Sequence, residues 1–247
     1  MKKTLLYIIC LLTVLTAQSQ NNLSKKDLYN DVYEPAKVID EKYGIIRYEK
    51  LNMLLGSDTI RNKNGYAANG FVEDYYKSGQ LLHKGFYVDG QLKIYKNYFP
   101  NGKLERNFRM VDIKKGKMDI FYNNGTQKSK VFYVDGEALK WEDYYSNGNL
   151  EFIEVYDKEI QYYLEKANYY ENGTPENTLV LENKKKLLYT QTYFYQNGKI
   201  KELGQMRYNK SMFDYERLGV WKVFDESGKA TKEVKYANGE VQSEKSL

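Results

Sequence analysis

The sequence predicts an all-β protein, an elongated antiparallel β-meander of hairpin repeats lying in one open sheet. Three observations carry this. A phrase of two aromatics, one variable residue and Asn-Gly recurs in seven copies, with Ser-Gly in the first and in the worn last one. A second tight-turn dipeptide closes several of the units. No stretch keeps the apolar period of a helix for long.

The phrase is clearest as YYSNGNL, Tyr144 to Leu150. Its glycines are Gly79, Gly102, Gly125, Gly148, Gly173, Gly198 and Gly228, spaced by 23, 23, 23, 25, 25 and 30 residues. Four residues before each glycine stands an aromatic: Tyr75, Tyr98, Phe121, Tyr144, Tyr169, Phe194, Phe224. Seven before it stand Val72, Tyr95, Met118, Trp141 and Trp221, but the fifth and sixth copies have Lys166 and Gln191. Nine before it, three copies carry a second glycine, Gly70, Gly116 and Gly219.

Asn-Gly between apolar runs is a strong hairpin signal, because a type I′ turn needs positive φ at both central residues. A two-residue turn is therefore expected at each copy, with Tyr145 facing Leu150 and Met118 facing Val131. A three-residue turn with a bulge would shift that register by one. The aromatic four before the glycine falls on the opposite face, so both faces carry aromatics. Asp89-Gly90, Asp135-Gly136 and Asn238-Gly239 supply the second turn, eleven residues after the first glycine. One hairpin is marginal alone, and stacked copies that share a face are favourable as an array.

Residues 1–19 read as a secretory signal peptide. Lys2 and Lys3 precede the apolar run Leu5 to Leu15, and Ala17 and Ser19 place small residues before a cleavage at Gln20. An uncleaved anchor is the alternative. Cys10, the single cysteine, lies inside the apolar run after Ile8-Ile9, which argues against a lipoprotein signal. The mature chain then has no disulfide and no thiolate metal site. Residues 20–64 form a polar segment expected to cap the array, 65–240 the repeat domain and 241–247 a polar tail. Without Lys2 and Lys3 the chain has 36 basic and 33 acidic residues, a net +3 that points to no nucleic-acid partner.

Little in the chain suggests catalysis. The only histidine, His83, occupies a variable strand column. The adjacent carboxylates Glu73-Asp74 and Glu142-Asp143 recur at the same repeat offset, which reads as strand structure; a catalytic dyad would occur once. No phosphate-loop pattern is present. The expectation is no enzyme, no cofactor and no metal. A candidate binding surface is formed by Trp141, Tyr144 and Tyr169 with the Lys184, Lys185, Lys186 cluster.

The run G-x-[V/M/W]-x-x-[Y/F]-[Y/F]-x-N-G-x-L resembles the MORN repeat, and more closely its variant form. That form is found in secreted bacterial proteins and in those labelled YwqK-type antitoxins. GKMDIFYNNGTQ (Gly116 to Gln127) and GVWKVFDESGKA (Gly219 to Ala230) match best, over a region of roughly 65–240. The resemblance implies an antiparallel sheet of hairpins that acts as a scaffold or binding surface, with no catalytic residue to carry over. The functional expectation is an exported interaction module, periplasmic or extracellular, for a protein or peptide partner. The alternative is anionic lipid or glycan. Oligomeric state is left open.

Overall fold

The computed structural model describes residues 51–52, 57–58 and 61–247 apart from 77. The expected signal peptide, Cys10 and most of the expected cap lie outside the described residues. Among those described there is no helix. Two short pairs come first, β1 (Leu51–Asn52) with β2 (Ser57–Asp58), then β3 (Asn62–Lys63) with β4 (Tyr66–Ala67). Fifteen strands follow in one antiparallel sheet, each paired with its neighbours in the chain. They are β5 (Gly70–Tyr75), β6 (Leu81–Val88), β7 (Gln91–Tyr98), β8 (Leu104–Met110), β9 (Lys115–Phe121), β10 (Gln127–Val134), β11 (Glu137–Tyr144) and β12 (Leu150–Tyr156). The remainder are β13 (Tyr163–Tyr169), β14 (Pro175–Asn183), β15 (Leu188–Phe194), β16 (Ile200–Asn209), β17 (Asp214–Phe224), β18 (Ala230–Ala237) and β19 (Glu240–Ser246). The sheet stays open, with β5 and β19 as its two edges.

The repeated phrase does not make the expected type I′ turn. At Tyr144 to Leu150 only Gly148 has positive φ, 92°. Gly148 N donates to Tyr145 O at 2.9 Å, and Tyr145 N donates to Asn149 O at 2.8 Å. This is a type I turn followed by a left-handed glycine, the three-residue form with a G1 bulge. The asparagine selects it. Asn147 Oδ1 accepts from Asn149 N at 2.9 Å, and the same side-chain-to-backbone bond recurs at Asn101, Asn124, Asn172 and Asn197. The type I′ geometry belongs to the second turn class. There φ is 49° and 75° at Asp89-Gly90, 50° and 86° at Asp135-Gly136, and 50° and 83° at Asn238-Gly239.

The register follows from this. Tyr144, not Tyr145, faces Leu150, and Glu151 is then left over as a bulge, so that Asp143 faces Phe152. The bulge cancels the one-residue offset of the turn. Deeper in the hairpins the expected pairing therefore holds, as Met118 facing Val131 shows. A shift follows the first pair in the other six copies too, at Tyr75, Tyr98, Phe121, Tyr169, Phe194 and Phe224.

The second aromatic of the phrase ties one copy to the next. Its hydroxyl reaches over the intervening strand and donates to the backbone carbonyl that ends the following hairpin's first strand. Tyr76 bonds Tyr98 O, Tyr122 bonds Tyr144 O and Tyr145 bonds Tyr169 O, each at 2.7 Å. Tyr170 bonds Phe194 O at 3.1 Å and Tyr195 bonds Phe224 O at 2.8 Å. Asparagine amides add a parallel set, Asn147, Asn172 and Asn197 donating to Glu171 O, Gln196 O and Glu226 O. The copy at Gly228 has no hydroxyl at this position: Asp225 turns inward and accepts from Ser227 N and Lys229 N of its own turn.

One face of the sheet packs. Tyr95, Met118, Trp141 and Trp221 are buried along the column seven before the glycine, facing Phe108, Val131 and Val234 on the paired strands. Facing Trp141 is a buried carboxylate, Glu154. Small residues admit the large rings. A Cβ on Gly116 would stand 2.8 Å from the Phe108 ring, and one on Gly204 would collide with the Trp221 indole. At the β5 end Arg61 forks onto both oxygens of Asp74, at 2.8 and 3.1 Å, and its guanidinium lies 6.0 Å from the Tyr87 ring centroid.

Three substitutions test this architecture. Gly148→Val forces a β-branched residue into positive φ and is expected to lower stability by more than the ordinary glycine effect of ~1 kcal/mol, read by calorimetry. Tyr145→Phe removes one inter-copy bond and should cost about 0.5–1.5 kcal/mol. Phe99, which stands where the other early copies have the donor tyrosine, gives the converse: Phe99→Tyr should raise Tm by a few degrees.

Candidate functional site

The seven turn glycines all sit in the left-handed region, with φ between 79° and 96°. They build the array and touch no site. Trp141, proposed above as part of a binding surface, is only 3% exposed and donates through Nε1 to Asp143 Oδ1 at 2.7 Å. It is a core residue. Tyr144 and Tyr169 lie half-buried on the opposite face, and their carbonyls receive the hydroxyls of Tyr122 and Tyr145. Lys184, Lys185 and Lys186 are exposed in the β14–β15 turn, at the other end of the strands from the Asn-Gly turns. The structure thus does not bring these six residues together.

His83 is fully buried, bonded through Nδ1 to Asn97 Oδ1 at 2.7 Å and packed 5.6 Å from the Tyr95 ring. The carboxylate pairs divide between the two faces. Asp74 and Asp143 take part in packed-face bonds to Arg61, Ser129 and Trp141. Glu73 and Glu142 pair with Lys84 and Lys140. Among the described residues no group of three or more His, Asp, Glu or Cys side chains is disposed to hold a metal ion.

A concave site does occur on the packed face, at the copies whose columns depart from the pattern. Its floor is two cross-strand rows on β13, β14 and β15. One row is Lys166–Leu179–Gln191, the other Asn168–Asn177–Tyr193. Tyr163 and Tyr215 complete the lining of a cavity of about 310 Å³. Where other copies put Trp141 or Trp221 on the core face, these put a lysine and a glutamine, and the missing ring volume is open space.

The wall is made by a long hairpin. The last repeat spacing is 30 residues, and the extra length extends β16 and β17 to ten and eleven residues. Tyr215 near its tip reaches back past three strands to β13, where its hydroxyl accepts from Tyr163 N at 3.2 Å. Tyr189 donates to Tyr163 O at 2.9 Å, and Tyr156 donates to the Tyr163 hydroxyl at 2.9 Å. Burial in this cluster pushes the Tyr163 and Tyr189 phenols far above their ordinary range. They stay neutral hydrogen-bonding groups.

Lys166 is the anomaly. Its ammonium lies 4.9 Å from the Tyr163 ring centroid and 5.8 Å from that of Phe152, and burial alone lowers its pKa. Glu154 faces it in register on β12 and is buried, yet Lys166 makes no ion pair with any described residue. By contrast Arg217, on the same face, is held by both oxygens of Glu202 at 2.6 and 3.2 Å. The sequence marks Lys166 and Gln191 as breaks in a column; it does not mark Tyr215, which no repeat position predicts.

Fold and site define a solenoid-like repeat protein, an open β-meander whose motif residues are spent on joining copies. Residues 91–107, 139–158, 190–207 and 217–238 match the family described as MORN repeat variant, so the chain carries four repeats of this kind. The copy at Gly125, one of the two that follow the phrase best, lies outside those four stretches. No curated protein matches the sequence. Among solved structures, a TarM mutant from S. aureus crystallised with fondaparinux, α-GlcNAc-glycerol and UDP aligns at 16% identity and a TM-score of 0.27, over 45% of this chain and 20% of its own. A porin-like protein from Bacteroides uniformis aligns at 11% identity and a TM-score of 0.18, over 74% of this chain and 90% of its own. Likenesses this weak bear on neither fold nor function.

The buried histidine gives a pH prediction. Burial, opposed by the Asn97 bond and by Asp74, lowers the His83 pKa below 6.5. Unfolding then takes up a proton, so stability is full above pH 6.5 and declines as pH falls through that value, by at most about 1.4 kcal/mol per pH unit. In His83→Gln the Tm should be flatter between about pH 6.5 and 5. An unchanged slope would remove His83 from the acid response.

Proposed function

We propose that this chain is a non-enzymatic interaction module, exported to the cell envelope, that holds a protein partner along its sheet. The observation that supports it most is the division of labour among columns. Motif tyrosines, asparagines and glycines bond copy to copy, which leaves the variable columns of a long, rigid sheet to meet a partner. Exposed apolar residues Phe71, Ile94, Val180 and Val220 lie on the face opposite the packed one. The edge strand β19 is exposed throughout, but Glu240, Glu244 and Lys245 blunt it against further pairing. Recognition is therefore expected on the face.

A second reading, an anionic lipid surface, is favoured by one observation. The turns opposite the Asn-Gly turns expose Ile113, Met212 and Phe213, each beside a lysine: Lys114, Lys115 and Lys210. Lys184–Lys186 belong to the same row of turns.

Cross-linking and pull-down from the native envelope should capture one specific protein. Capture should be lost on Phe71→Ser/Ile94→Ser, retained by Lys184→Glu, and insensitive to moderate salt. Sedimentation with anionic vesicles that falls steeply with ionic strength and is abolished by Phe213→Ser/Lys210→Glu would favour the lipid reading instead. Mass spectrometry of envelope protein should find Gln20 at the N-terminus, and an intact Met1 would overturn export with cleavage.

A further inference from the structure

The cavity between the fifth and sixth copies has the chemistry of a ligand site. Its volume of about 310 Å³ is at the low end of small-molecule sites, roughly 300–1,000 Å³. The groups around it are unlike those of the rest of the packed face. Lys166 brings a partly desolvated cation that makes no ion pair among the described residues. Gln191 is only 7% exposed, and its amide makes no hydrogen bond among the described residues. Asn168 Nδ2 donates to Asn177 Oδ1 at 3.2 Å, which leaves further amide donors and an acceptor on that pair. The rings of Tyr163, Tyr193 and Tyr215 flank the space. Both groups border the cavity and are not sealed away from it, so the ammonium and the amide stand open to a ligand.

The position narrows the ligand. β13, β14 and β15 are interior strands with both neighbours paired, so no main-chain group is left for an added peptide strand. Recognition falls to side chains: one cation, three amides and three phenol rings. A single half-buried lysine suits a single carboxylate. Amides suit vicinal hydroxyls, and phenol faces suit the C–H face of a pyranose. The volume takes one sugar unit and no lipid tail.

We propose that this cavity binds a carboxylate-bearing sugar of the hexuronic acid class. Lys166 holds the carboxylate, Asn168, Asn177 and Gln191 hold ring hydroxyls, and Tyr163 and Tyr215 close over the ring. This site is independent of the partner-binding face discussed above.

The test is calorimetric titration, with saturation-transfer NMR, of the full mature chain against D-glucuronate, D-glucose, acetate and an acidic tripeptide at low salt. D-glucuronate should bind saturably and at least tenfold more tightly than D-glucose, with acetate and the tripeptide weaker still. Lys166→Met should reduce the two sugars to equal, weak binding while Tm is unchanged or higher, since an uncompensated cation has been removed. Gln191→Leu should weaken both sugars alike. The proposal is overturned if D-glucuronate does not saturate, if acetate or the tripeptide matches it, or if Lys166→Met binds it as the parent does.

Discussion

A hydroxyl that crosses one strand to reach the next hairpin is the contact on which the array depends. Strand pairing alone would join the hairpins, but a single sheet with water on both sides has little to fix its twist or its local register. The tyrosine hydroxyl, present in five copies and missing at Phe99, and the asparagine amide of three copies add fixed points from turn to turn. Both need a partner one repeat further on. That requirement explains why the aromatic–aromatic–x–Asn–Gly phrase is copied as a unit; at the Gly228 copy the donor is replaced by Asp225, an acceptor for its own backbone.

The same requirement shapes the turn. A type I′ turn would place Asn147 in the left-handed region, away from the arrangement in which its side chain bonds Asn149 N and Glu171 O together. The type I turn with a G1 bulge permits both bonds, and the second bulge at Glu151 then restores the register. The pair of offsets keeps Tyr95, Met118, Trp141 and Trp221 on the packed face. A one-residue slip that was not cancelled would move that whole column into solvent. Packing in one layer also needs room, which Gly116 and Gly204 provide beneath Phe108 and Trp221.

The legible part of this protein was whatever repeats. Strand order, the seven glycine turns, which columns share a face and the deep register all follow from periodicity and parity; which face packs does not. The turn type was misread because Asn-Gly is a local signal, whereas the choice between the two turns is made by bonds to a copy more than twenty residues away. Asn64-Gly65 and Asn238-Gly239, which lack that phrase around them, do adopt positive φ at both residues. Trp141 was misplaced for a related reason. A large aromatic in a thin sheet suggests an exposed anchor, but its neighbours Ser129 and Asp143 bury it through a hydrogen-bonded cluster. The cavity was legible only as an irregularity. Lys166, Gln191 and the 30-residue spacing each stood out, yet nothing in the sequence said that Tyr215 would close over the first two.

Regularity gives these departures their meaning. In an array, each column states what packing alone asks of a position, and here it asks for Tyr, Met or Trp seven before the turn. A lysine at that position loses part of its solvation and gains no ion pair among the described residues, and a glutamine forgoes the apolar contact its neighbours make. The sheet nonetheless runs through β13 to β16 without a break, because the turn ladder at Tyr170 and Tyr195 is intact there. The ladder and the core column are thus separable. Inter-copy bonds at the turn edge hold the strands in register, so the column beneath them can lose its rings locally and still lie in a continuous sheet. An array built in this way can open a pocket at one pair of copies without unzipping its neighbours, provided another element covers the exposed ring edges. The lengthened β16–β17 hairpin, with Tyr208 and Tyr215 packed over Tyr189, is that element.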